Sequence, residues 1–398
     1  MRGGAVAVVA FVAAALGASA VLVIGKAGGW LDSAPGPVET VVLPAATSAA
    51  AAAGTPASAP LIGNTFDPAA IYRRVSPGVV TIYAIFRGGS RSQGSGLIVS
   101  REGHVLTNSH VIRTPGEASV TPQTASNVFV AFADGDRLPA SIVGYDLFND
   151  TGVIKLDPGD HAITPVPLGD SDDVVVGEPV AAIGSPFGNQ NSLAVGVVSA
   201  VSRSIPSLTS RYSVANAIQI DAPINHGNSG GPLLDARGHA IGVNTQIRSE
   251  SGNAEGVGFA IPINSARRSM EQLIATGRVV YAYIGVTTQD VTPALAREYS
   301  LRARRGALIE EVVDGEPAER AGLRGSTEQE VFNGSSVGLG GDLIVALGGE
   351  EVASADDVVR IVTDRLLPGD TVGVTVIRGG TGRRETVRVR LDERPAVP

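Results

Sequence analysis

A serine enclosed by glycines is the feature of this sequence that most directly suggests chemistry. Ser229 lies in NHGNSGGPLLD, Asn225 to Asp235, with glycines at positions 227, 230 and 231. Glycine allows a tight backbone turn and the close approach of a ligand or a second strand. The stretch alone also fits an ordinary hairpin turn, because glycine and serine are common in turns. The hydroxyl becomes a candidate nucleophile only when a base stands beside it.

One histidine and one aspartate could complete a nucleophilic site with this serine. His110 lies in GHVLTNSHVI, where a predicted strand runs into a loop, and Asp150 lies in GYDLFNDTGVIKL, just before an apolar strand. Asp146 and Asp157 are neighbouring carboxylates. A neutral imidazole can accept the proton of a serine hydroxyl, and a carboxylate can orient the imidazole. The order His, Asp, Ser along the chain is that of the chymotrypsin-type barrel.

The composition of the 398 residues excludes several other functions. The chain has no cysteine, which rules out disulfides, zinc sites with thiolate ligands and cysteine nucleophiles. The formal net charge of −8 argues against nucleic acid as a partner, since phosphate binding needs a basic surface. The sequence contains no HExxH motif, and His104 and His110 lack the helical spacing of metal ligands. We therefore expect no metal and no other cofactor.

The N-terminal segment predicts attachment to a membrane. The 21 residues from Ala5 to Gly25 are apolar and uncharged, long enough for one helix to cross a bilayer. We predict a transmembrane signal-anchor over residues 1–27. The ASA at residues 18–20 resembles a cleavage site, so a secreted or periplasmic protein after signal cleavage is the alternative. Arg2 before the span and acidic residues after it place the N-terminus in the cytoplasm and the rest of the chain outside.

The chain beyond the span divides into a linker and a strand-rich domain. Residues 28–65 are rich in Ala, Pro and Ser and predict a flexible linker. Residues 66–278 contain short apolar, β-branched runs between turn signals, which predicts a mainly β domain, a barrel or a sandwich. The predicted strands include Gly78–Phe86, Gly94–Ser100, Asn127–Gly135, Glu178–Gly184 and His239–Ile247. Asn264–Gly277 predicts a helix, with an apolar face and a terminal glycine.

Several motifs in this domain carry a resemblance to a known family. TNSHV around His110, NDTGVIKL around Asp150 and GNSGGPLL around Ser229 resemble the HtrA family of serine proteases, as do Gly184–Ala200 and Gly256–Ile263. The resemblance implies a chymotrypsin-like double β-barrel in which His110, Asp150 and Ser229 form a catalytic triad. It also extends over the remainder of the chain.

The same resemblance assigns an oxyanion hole. Its donors are the backbone N–H groups of Gly227 and Ser229, with Asn228 between them. Two positions depart from the family pattern: Gly152 stands where an apolar strand residue is usual, and His226 stands where Pro or Arg is frequent. We interpret His226 as a residue at the rim of the site and not as a second base, because a triad histidine comes from across the cleft.

The resemblance also suggests a substrate pocket. One wall is the segment before the serine, and the other is the strand GVGFAIP. The pocket residues are Ala222, Pro223, Ile224, Gly258, Phe259 and Ala260. No carboxylate stands where a trypsin-type pocket would hold a basic side chain. We therefore predict cleavage after apolar residues of medium size, such as Val, Leu or Ala.

The last part of the chain, residues 281–394, resembles a PDZ domain. The segments that carry the resemblance include YIGV, GALIEEVVDGEPAERAGL and the predicted helix SADDVVRIVTD. PDZ domains bind the C-terminal peptide of a partner as an added strand and hold its carboxylate on backbone N–H groups. The carboxylate-binding loop would be Tyr283, Ile284, Gly285 and Val286. Residues 325–340 form an insertion to which we assign no function.

This combination predicts a membrane-tethered serine endopeptidase. By resemblance to DegS-like, single-PDZ members of the HtrA (DegP) family, it cleaves misfolded or signal-bearing proteins outside the cytoplasm, in protein quality control or an envelope stress response. The family resemblance also implies a homotrimer, assembled near Asp67–Val75. Two alternatives stay open: a chaperone-like holdase of unfolded clients with secondary proteolysis, and a catalytically silent PDZ scaffold. The presence of all three triad residues counts against the scaffold.

Overall fold

The structure is a computed structural model, and it describes residues 66–114, 123–159, 161–185, 191–206, 213–225, 227–245 and 257–395. The predicted signal-anchor, the predicted linker and His226 lie outside these residues. Among the helices of the described residues, none combines the length and the apolar character needed to cross a bilayer.

The first part of the fold is a short helix followed by a closed six-stranded antiparallel barrel. Its elements are α1 (Pro68–Val75), β1 (Val79–Ile85), β2 (Arg91–Ile98), β3 (His104–Thr107), α2 (Ser109–Ile112), β4 (Asn127–Ala131), β5 (Arg137–Asp146) and β6 (Thr151–Leu156). The strand order around the barrel is β1-β2-β3-β6-β5-β4. Because alternate residues of a strand point to one face, Ile82, Ile98 and Ile154 meet inside the barrel.

A second closed barrel follows the first. It contains β7 (Pro179–Gly184), β8 (Ser192–Pro206), β9 (Ser213–Ile220), β10 (Pro232–Leu234), β11 (Ala240–Thr245) and β12 (Gly258–Pro262). Its strand order is β10-β11-β12-β9-β8-β7. The strand pattern alone left a barrel and a sandwich open. The structure confirms the double barrel that the family resemblance implies.

A separate apolar core lies where the two barrels meet. Leu97 and Leu106 of the first barrel pack there with Ile183, Leu234 and Val243 of the second. Each of these side chains is 1% exposed or less. The loops that end near this core can therefore bring residues of both barrels to one place.

The predicted helix after the second barrel is confirmed to within one residue. Helix α3 (Ile263–Thr276) ends at Gly277, which adopts the left-handed conformation with φ +75°. Glycine reaches this conformation without the steric cost of a Cβ, so it ends helices efficiently. Ala266 and Leu273 of α3 are buried in the core between the barrels.

The chain beyond α3 forms a mixed domain around a six-stranded sheet. Its elements are β13 (Ala282–Tyr283), β14 (Val286–Asp290), α4 (Pro293–Glu298), β15 (Ala307–Val312), α5 (Pro317–Arg320), β16 (Glu328–Phe332), β17 (Ser335–Leu339), β18 (Leu343–Leu347), β19 (Glu350–Glu351), α6 (Ala355–Arg365), β20 (Thr371–Ile377), β21 (Arg384–Arg390) and β22 (Asp392–Glu393). The main path of the sheet is β14-β15-β18-β20-β21. The predicted insertion is the hairpin β16–β17.

Helix α6 begins with a capping box, as its sequence signature suggests. The Ser354 hydroxyl accepts the N–H of Asp357, and the Asp357 carboxylate accepts the N–H of Ser354. Such reciprocal bonds satisfy N–H groups that the first turn of a helix leaves unpaired. Helix α6 contacts β14, the strand at one edge of the sheet.

Candidate active site

The structure brings His110 and Asp150 into direct contact. His110 lies on α2, the single turn after β3, and Asp150 lies in the turn between β5 and β6. Nδ1 of His110 and Oδ2 of Asp150 are 2.8 Å apart. Asp150 is 1% exposed, whereas 19% of the His110 side chain reaches solvent. One ring nitrogen of His110 therefore contacts a buried carboxylate, while part of the side chain reaches solvent.

The Asp150 carboxylate is held on both oxygens. Oδ1 accepts the Ser109 hydroxyl at 2.8 Å and the His110 N–H at 3.1 Å. Oδ2 accepts the Thr245 hydroxyl at 3.0 Å in addition to the imidazole contact. Thr245 lies on β11 of the second barrel, so this bond crosses between the barrels. Ser109 and Thr245 are not among the site residues predicted from the sequence, although Ser109 stands directly beside His110 in the TNSHV motif.

The charges of this pair shift both pKa values. Burial lowers the pKa of His110, but the negative charge and hydrogen bond of Asp150 outweigh burial and raise it above its ordinary value. Burial raises the pKa of Asp150, but His110 and the hydrogen bonds to the carboxylate outweigh burial and lower it. Asp150 is thus ionised at neutral pH and accepts a proton-bearing Nδ1, which leaves Nε2 of His110 as the basic nitrogen.

Ser229 is joined by its backbone to the barrel that carries His110. Its carbonyl oxygen accepts the N–H of Ser95 on β2 at 2.8 Å. A Cβ placed on Gly94 would lie 3.1 Å from that carbonyl oxygen and 2.6 Å from Val111, the residue after His110. The serine turn and α2 therefore sit on two sides of the same glycine. Among the described residues, no hydrogen bond joins the Ser229 hydroxyl to the imidazole.

The glycines after the serine are required by close backbone contacts. Gly230 has φ +88°, and a Cβ there would lie 2.1 Å from the Ser95 carbonyl oxygen. A Cβ on Gly231 would lie 2.2 Å from the Ile183 carbonyl oxygen. No side chain fits at such distances. The two glycines thus allow β2 and β7 to close behind the nucleophile candidate.

The backbone N–H groups of the predicted oxyanion hole differ in their hydrogen bonding. The Asn228 N–H donates to the Asn225 carbonyl at 3.0 Å and is occupied. The N–H groups of Gly227 and Ser229 make no hydrogen bond with the part of the chain that the structure describes. Gly227 has φ +100°, a conformation that favours glycine. Among the described residues, the Asn228 N–H is therefore hydrogen-bonded, while the N–H groups of its two neighbours in sequence have no partner.

A steric reason also explains why glycine stands at position 152, where the family pattern has an apolar strand residue. Gly152 lies in β6 opposite Thr107 of β3. A Cβ there would lie 2.9 Å from Cδ1 of Ile112 and 3.1 Å from the carbonyl oxygen of Asn108. The glycine allows the turn of helix that carries His110 to lie directly against β6.

Only part of the predicted substrate pocket comes together. Ala222, Ile224 and Ala260 are buried in one cluster inside the second barrel, and Gly258 packs against Ile224. Phe259 packs instead against the core between the barrels, because neighbouring residues of β12 point to opposite faces. Pro223 is exposed. The structure thus separates Phe259 and Pro223 from the other four predicted residues.

The neighbouring carboxylates are not partners of His110. Asp146 accepts hydrogen bonds from Ser269 and Tyr281, and Asp157 accepts the N–H of Gly159. The structure thus pairs His110 with Asp150, the aspartate that the family resemblance selected, and with neither neighbour.

The predicted peptide loop leads into the edge strand β14. Gly285 has φ +78°, and a Cβ there would lie 2.5 Å from Cβ of Glu316. The carbonyl groups of Ile284 and Gly285 accept the N–H groups of Ala318 and Val313 at 2.9 and 3.0 Å. Tyr283 ends β13 and Val286 begins β14. The loop is thereby fixed at the end of an edge strand.

One group of metal-ligand side chains occurs among the described residues. Asp134, Asp136 and His161 bring ligand atoms within 4.8 Å of one another. The two aspartate side chains are 60% and 73% exposed, and the His161 ring stacks on Phe132 at a centroid distance of 3.8 Å. Hydrated carboxylates beside a packed imidazole account for this arrangement without an ion.

Comparison with known proteins adds family relationships to this geometry. Residues 94–243 match the trypsin-like peptidase domain, and residues 282–391 match the PDZ domain. The chain is 36% identical over 307 residues to "Protease Do-like 1, chloroplastic" of Arabidopsis thaliana, covering 77% of this chain and 64% of that protein. It is 37% identical over 307 residues to a "Probable periplasmic serine endoprotease DegP-like" of Hahella chejuensis, covering 77% of this chain and 58% of that protein.

A solved structure covers both parts of the fold. The "HtrA-type protease AlgW with tripeptide" superposes with a TM-score of 0.68 at 33% identity, covering 83% of this chain and 98% of that one. The chain spans less than two thirds of the length of the two curated relatives above. It spans nearly the whole length of the solved neighbour.

Proposed function

The chain belongs to the HtrA family of serine proteases, and from this premise we propose that it is a serine endopeptidase acting on misfolded or signal-bearing proteins outside the cytoplasm. The observation that carries the proposal is the 2.8 Å contact between His110 and Asp150, beside a serine turn with two unpaired N–H groups. A scaffold without catalysis has no need of this arrangement.

In the proposed reaction Ser229 is the nucleophile. Its hydroxyl is a weak nucleophile until a base removes the proton, and Nε2 of His110 is the base. Oγ bonds to the carbonyl carbon of the peptide, and the imidazolium then returns the proton to the leaving amine. Water repeats the sequence on the acyl-enzyme, with His110 again as the base. Asp150 keeps the proton on Nδ1 and stabilises the imidazolium.

The oxyanion of each tetrahedral intermediate binds the N–H groups of Gly227 and Ser229. Preplaced donors of this kind stabilise charge where it develops, without reorganising at the moment of reaction. Asn228 shapes the turn through its bond to Asn225 and leaves its two neighbours available.

The proposed specificity is for apolar residues before the cleaved bond. The four pocket residues that lie together, Ala222, Ile224, Gly258 and Ala260, are all apolar. The cleavage sites in an unfolded substrate, read by mass spectrometry, test this point. A majority of Lys or Arg before the cleaved bonds would contradict it.

The proposed role of the PDZ domain is to bind C-terminal peptides. β14 lies at the edge of the sheet, where a peptide could add as a further strand, and the loop from Tyr283 to Val286 leads into it. The AlgW protease described above was solved with a tripeptide, which supports peptide binding in this chain.

The proposal extends to location and assembly. Curated relatives are named as periplasmic endoproteases, which supports action outside the cytoplasm. We further propose that the N-terminal segment tethers the protein to the membrane and that the barrels assemble as a homotrimer. Protein quality control or an envelope stress response is the biological role that fits this set of features.

Cleavage of an unfolded protein by the full-length chain tests the function directly. The wild type and Ser229→Ala are compared with and without peptides that end in hydrophobic residues. We expect cleavage only by the wild type, accelerated by the peptides. If neither protein cleaves and both still suppress aggregation of the client, the chaperone-like holdase replaces the protease as the function.

A further inference from the structure

A buried carboxylate next to the catalytic turn is not used by the proposed mechanism. Asp146 ends β5, four residues before Asp150, and is 2% exposed. A buried carboxylate is costly unless it is hydrogen-bonded, so its partners show what it holds together. Each oxygen of Asp146 has a different set of partners.

The first oxygen shapes the turn that leads to Asp150. Oδ1 of Asp146 accepts the N–H of Phe148 at 2.9 Å and the N–H of Asn149 at 3.3 Å. The Thr151 hydroxyl donates to the carbonyl of Asn149 at 3.1 Å on the far side. Asp150 itself has φ +46°, in the left-handed region. A residue with a side chain keeps that conformation only where its surroundings impose it.

The second oxygen joins this turn to the far end of the protease domain. Oδ2 of Asp146 accepts the Ser269 hydroxyl of α3 at 2.6 Å and also the Tyr281 hydroxyl. Ser269 is 1% exposed and Tyr281 is 2% exposed. Tyr281 directly precedes β13, at the start of the PDZ part of the chain. No water is needed to satisfy Oδ2, because two hydroxyl donors already do.

Tyr281 is in turn fixed by aromatic and backbone contacts. Its ring meets the ring of Phe148 edge-on at a centroid distance of 5.4 Å. Its carbonyl accepts the N–H of Arg394 at 2.8 Å, and the Arg394 guanidinium lies over both rings at 5.2 and 5.4 Å. Arg394 also reaches the Thr363 hydroxyl of α6 at 3.4 Å. The turn that carries Asp150 is therefore braced by residues from the C-terminal part of the chain.

We propose that Tyr281 and Ser269 are positioning residues that hold the Asp150 carboxylate against His110 through Asp146. This inference rests on the proposed function, because it concerns the orientation of a triad. Nothing in the proposed chemistry touches these side chains, so they act through the turn. Without the two hydroxyls, Oδ2 of Asp146 has no donor left among the described residues. The turn is then no longer hydrogen-bonded through this oxygen to α3 or to Tyr281.

The surroundings of Tyr281 keep its hydroxyl protonated. Burial and the neighbouring Asp146 charge raise the pKa of Tyr281 well above its ordinary value. Burial raises the pKa of Asp146, and hydrogen bonds from Ser269 and Tyr281 oppose that rise. The other charged group that faces Tyr281 is Arg394. The Tyr281 hydroxyl thus stays a donor throughout the pH range in which His110 titrates.

The test compares Tyr281→Phe, Ser269→Ala and the double variant in the full-length protein. Tyr299→Phe is the matched control, because it removes a phenol hydroxyl from a half-buried ring without touching the turn. We expect kcat per titrated active serine to fall about 10- to 100-fold in the double variant, with KM unchanged, since a small misplacement of a catalytic group has effects of this size. Tyr299→Phe should match the wild type.

The pH profile separates positioning from a purely structural role. Asp150 raises the pKa of His110, so a loosened turn lowers that pKa. The acid limb of kcat/KM should then move to lower pH in Tyr281→Phe and Ser269→Ala. If the variants lower only the unfolding temperature, and kcat and the acid limb match the wild type, the proposal is wrong.

An NMR titration tests the same proposal without measuring catalysis. The His110 imidazole is titrated by NMR in Ser229→Ala, with and without Tyr281→Phe. If the imidazole pKa is lower in Ser229→Ala with Tyr281→Phe than in Ser229→Ala alone, the positioning role is supported. An unchanged imidazole pKa overturns it. Failure of the protease function shows separately, as equal cleavage by the wild type and Ser229→Ala.

Discussion

The serine turn and the aspartate turn lie on two sides of the candidate site and are built by different means. Gly230 and Gly231 let β2 and β7 pack where no side chain fits, so the serine turn is held by close packing and backbone bonds, with one side-chain bond from the Ser95 hydroxyl to the Gly227 carbonyl. The Asp150 turn contains a left-handed aspartate and is held by side-chain hydrogen bonds. The serine side should therefore be sensitive to added volume, and the aspartate side to lost donors and acceptors.

The sharpest test of the aspartate side is Asp150→Asn. Asparagine tolerates the left-handed conformation as well as aspartate does, so the backbone is retained, while the charge is lost and an NH2 donor replaces one of the two acceptor oxygens. We expect kcat to fall about 10⁴-fold, the effect known when a triad aspartate becomes asparagine. Steady-state kinetics measure it. Asp157→Asn, on an exposed carboxylate, is the control and should behave as the wild type.

The serine side is tested by Gly230→Ala. The new Cβ would lie 2.1 Å from the Ser95 carbonyl oxygen at a φ of +88°, so the turn must move or the fold must loosen. We expect a loss of about 2–5 kcal/mol in the free energy of unfolding, as for other severe changes in a core, together with loss of cleavage.

Gly135→Ala is the matched control for this change. Gly135 has φ +96° but no atom within 4 Å of the added Cβ, so the variant measures backbone strain alone. Its cost should be about 1 kcal/mol, near the lower end for such a conformation. The free energies of unfolding are measured with urea. Equal losses in Gly230→Ala and Gly135→Ala would mean that steric crowding of the added Cβ does not destabilise the serine turn.

A smaller effect is expected from Thr245→Val, which preserves the shape of the side chain. It removes one of the donors to Oδ2 of Asp150 and cuts the bond between the barrels at this point. A hydrogen bond to a charged group contributes about 1.5–3 kcal/mol, so kcat/KM should fall about 10- to 100-fold. Thr107→Val, which removes a donor to the Ser95 carbonyl on the serine side, should reduce activity less. The reverse order would contradict the contrast between the two turns.

The pH dependence gives the smallest expected effect. The pKa of His110 is raised by Asp150, so the acid limb of kcat/KM should lie above pH 6.5, the ordinary value for histidine. The same shift stabilises the fold below pH 6.5, and that contribution is lost as the pH rises through the higher pKa of the folded state. In Asp150→Asn the limb should move to lower pH. A limb below pH 6.5 in the wild type would show that burial, and not Asp150, governs the imidazole.

Local signals made much of the fold predictable. The glycine that ends α3 and the capping box that begins α6 act through neighbouring residues, so their effect is visible in a short stretch of sequence. The alternation of apolar residues likewise indicates strands, since it depends only on which face of a strand is buried. The choice between a barrel and a sandwich depends on how distant strands pair, and no local pattern contains that information.

The residues of the candidate site could likewise be predicted only in part. Residue types, their order along the chain and the resemblance of three motifs to the HtrA family selected His110, Asp150 and Ser229 as candidates. Only the tertiary structure showed that Thr245 crosses from the second barrel to Asp150, and that Phe259 faces away from Ala260. It also assigned Asp146 to Ser269 and Tyr281, more than a hundred residues away along the chain. Hydrogen bonds and packing depend on positions in space, which residues so distant in sequence acquire only when the chain folds.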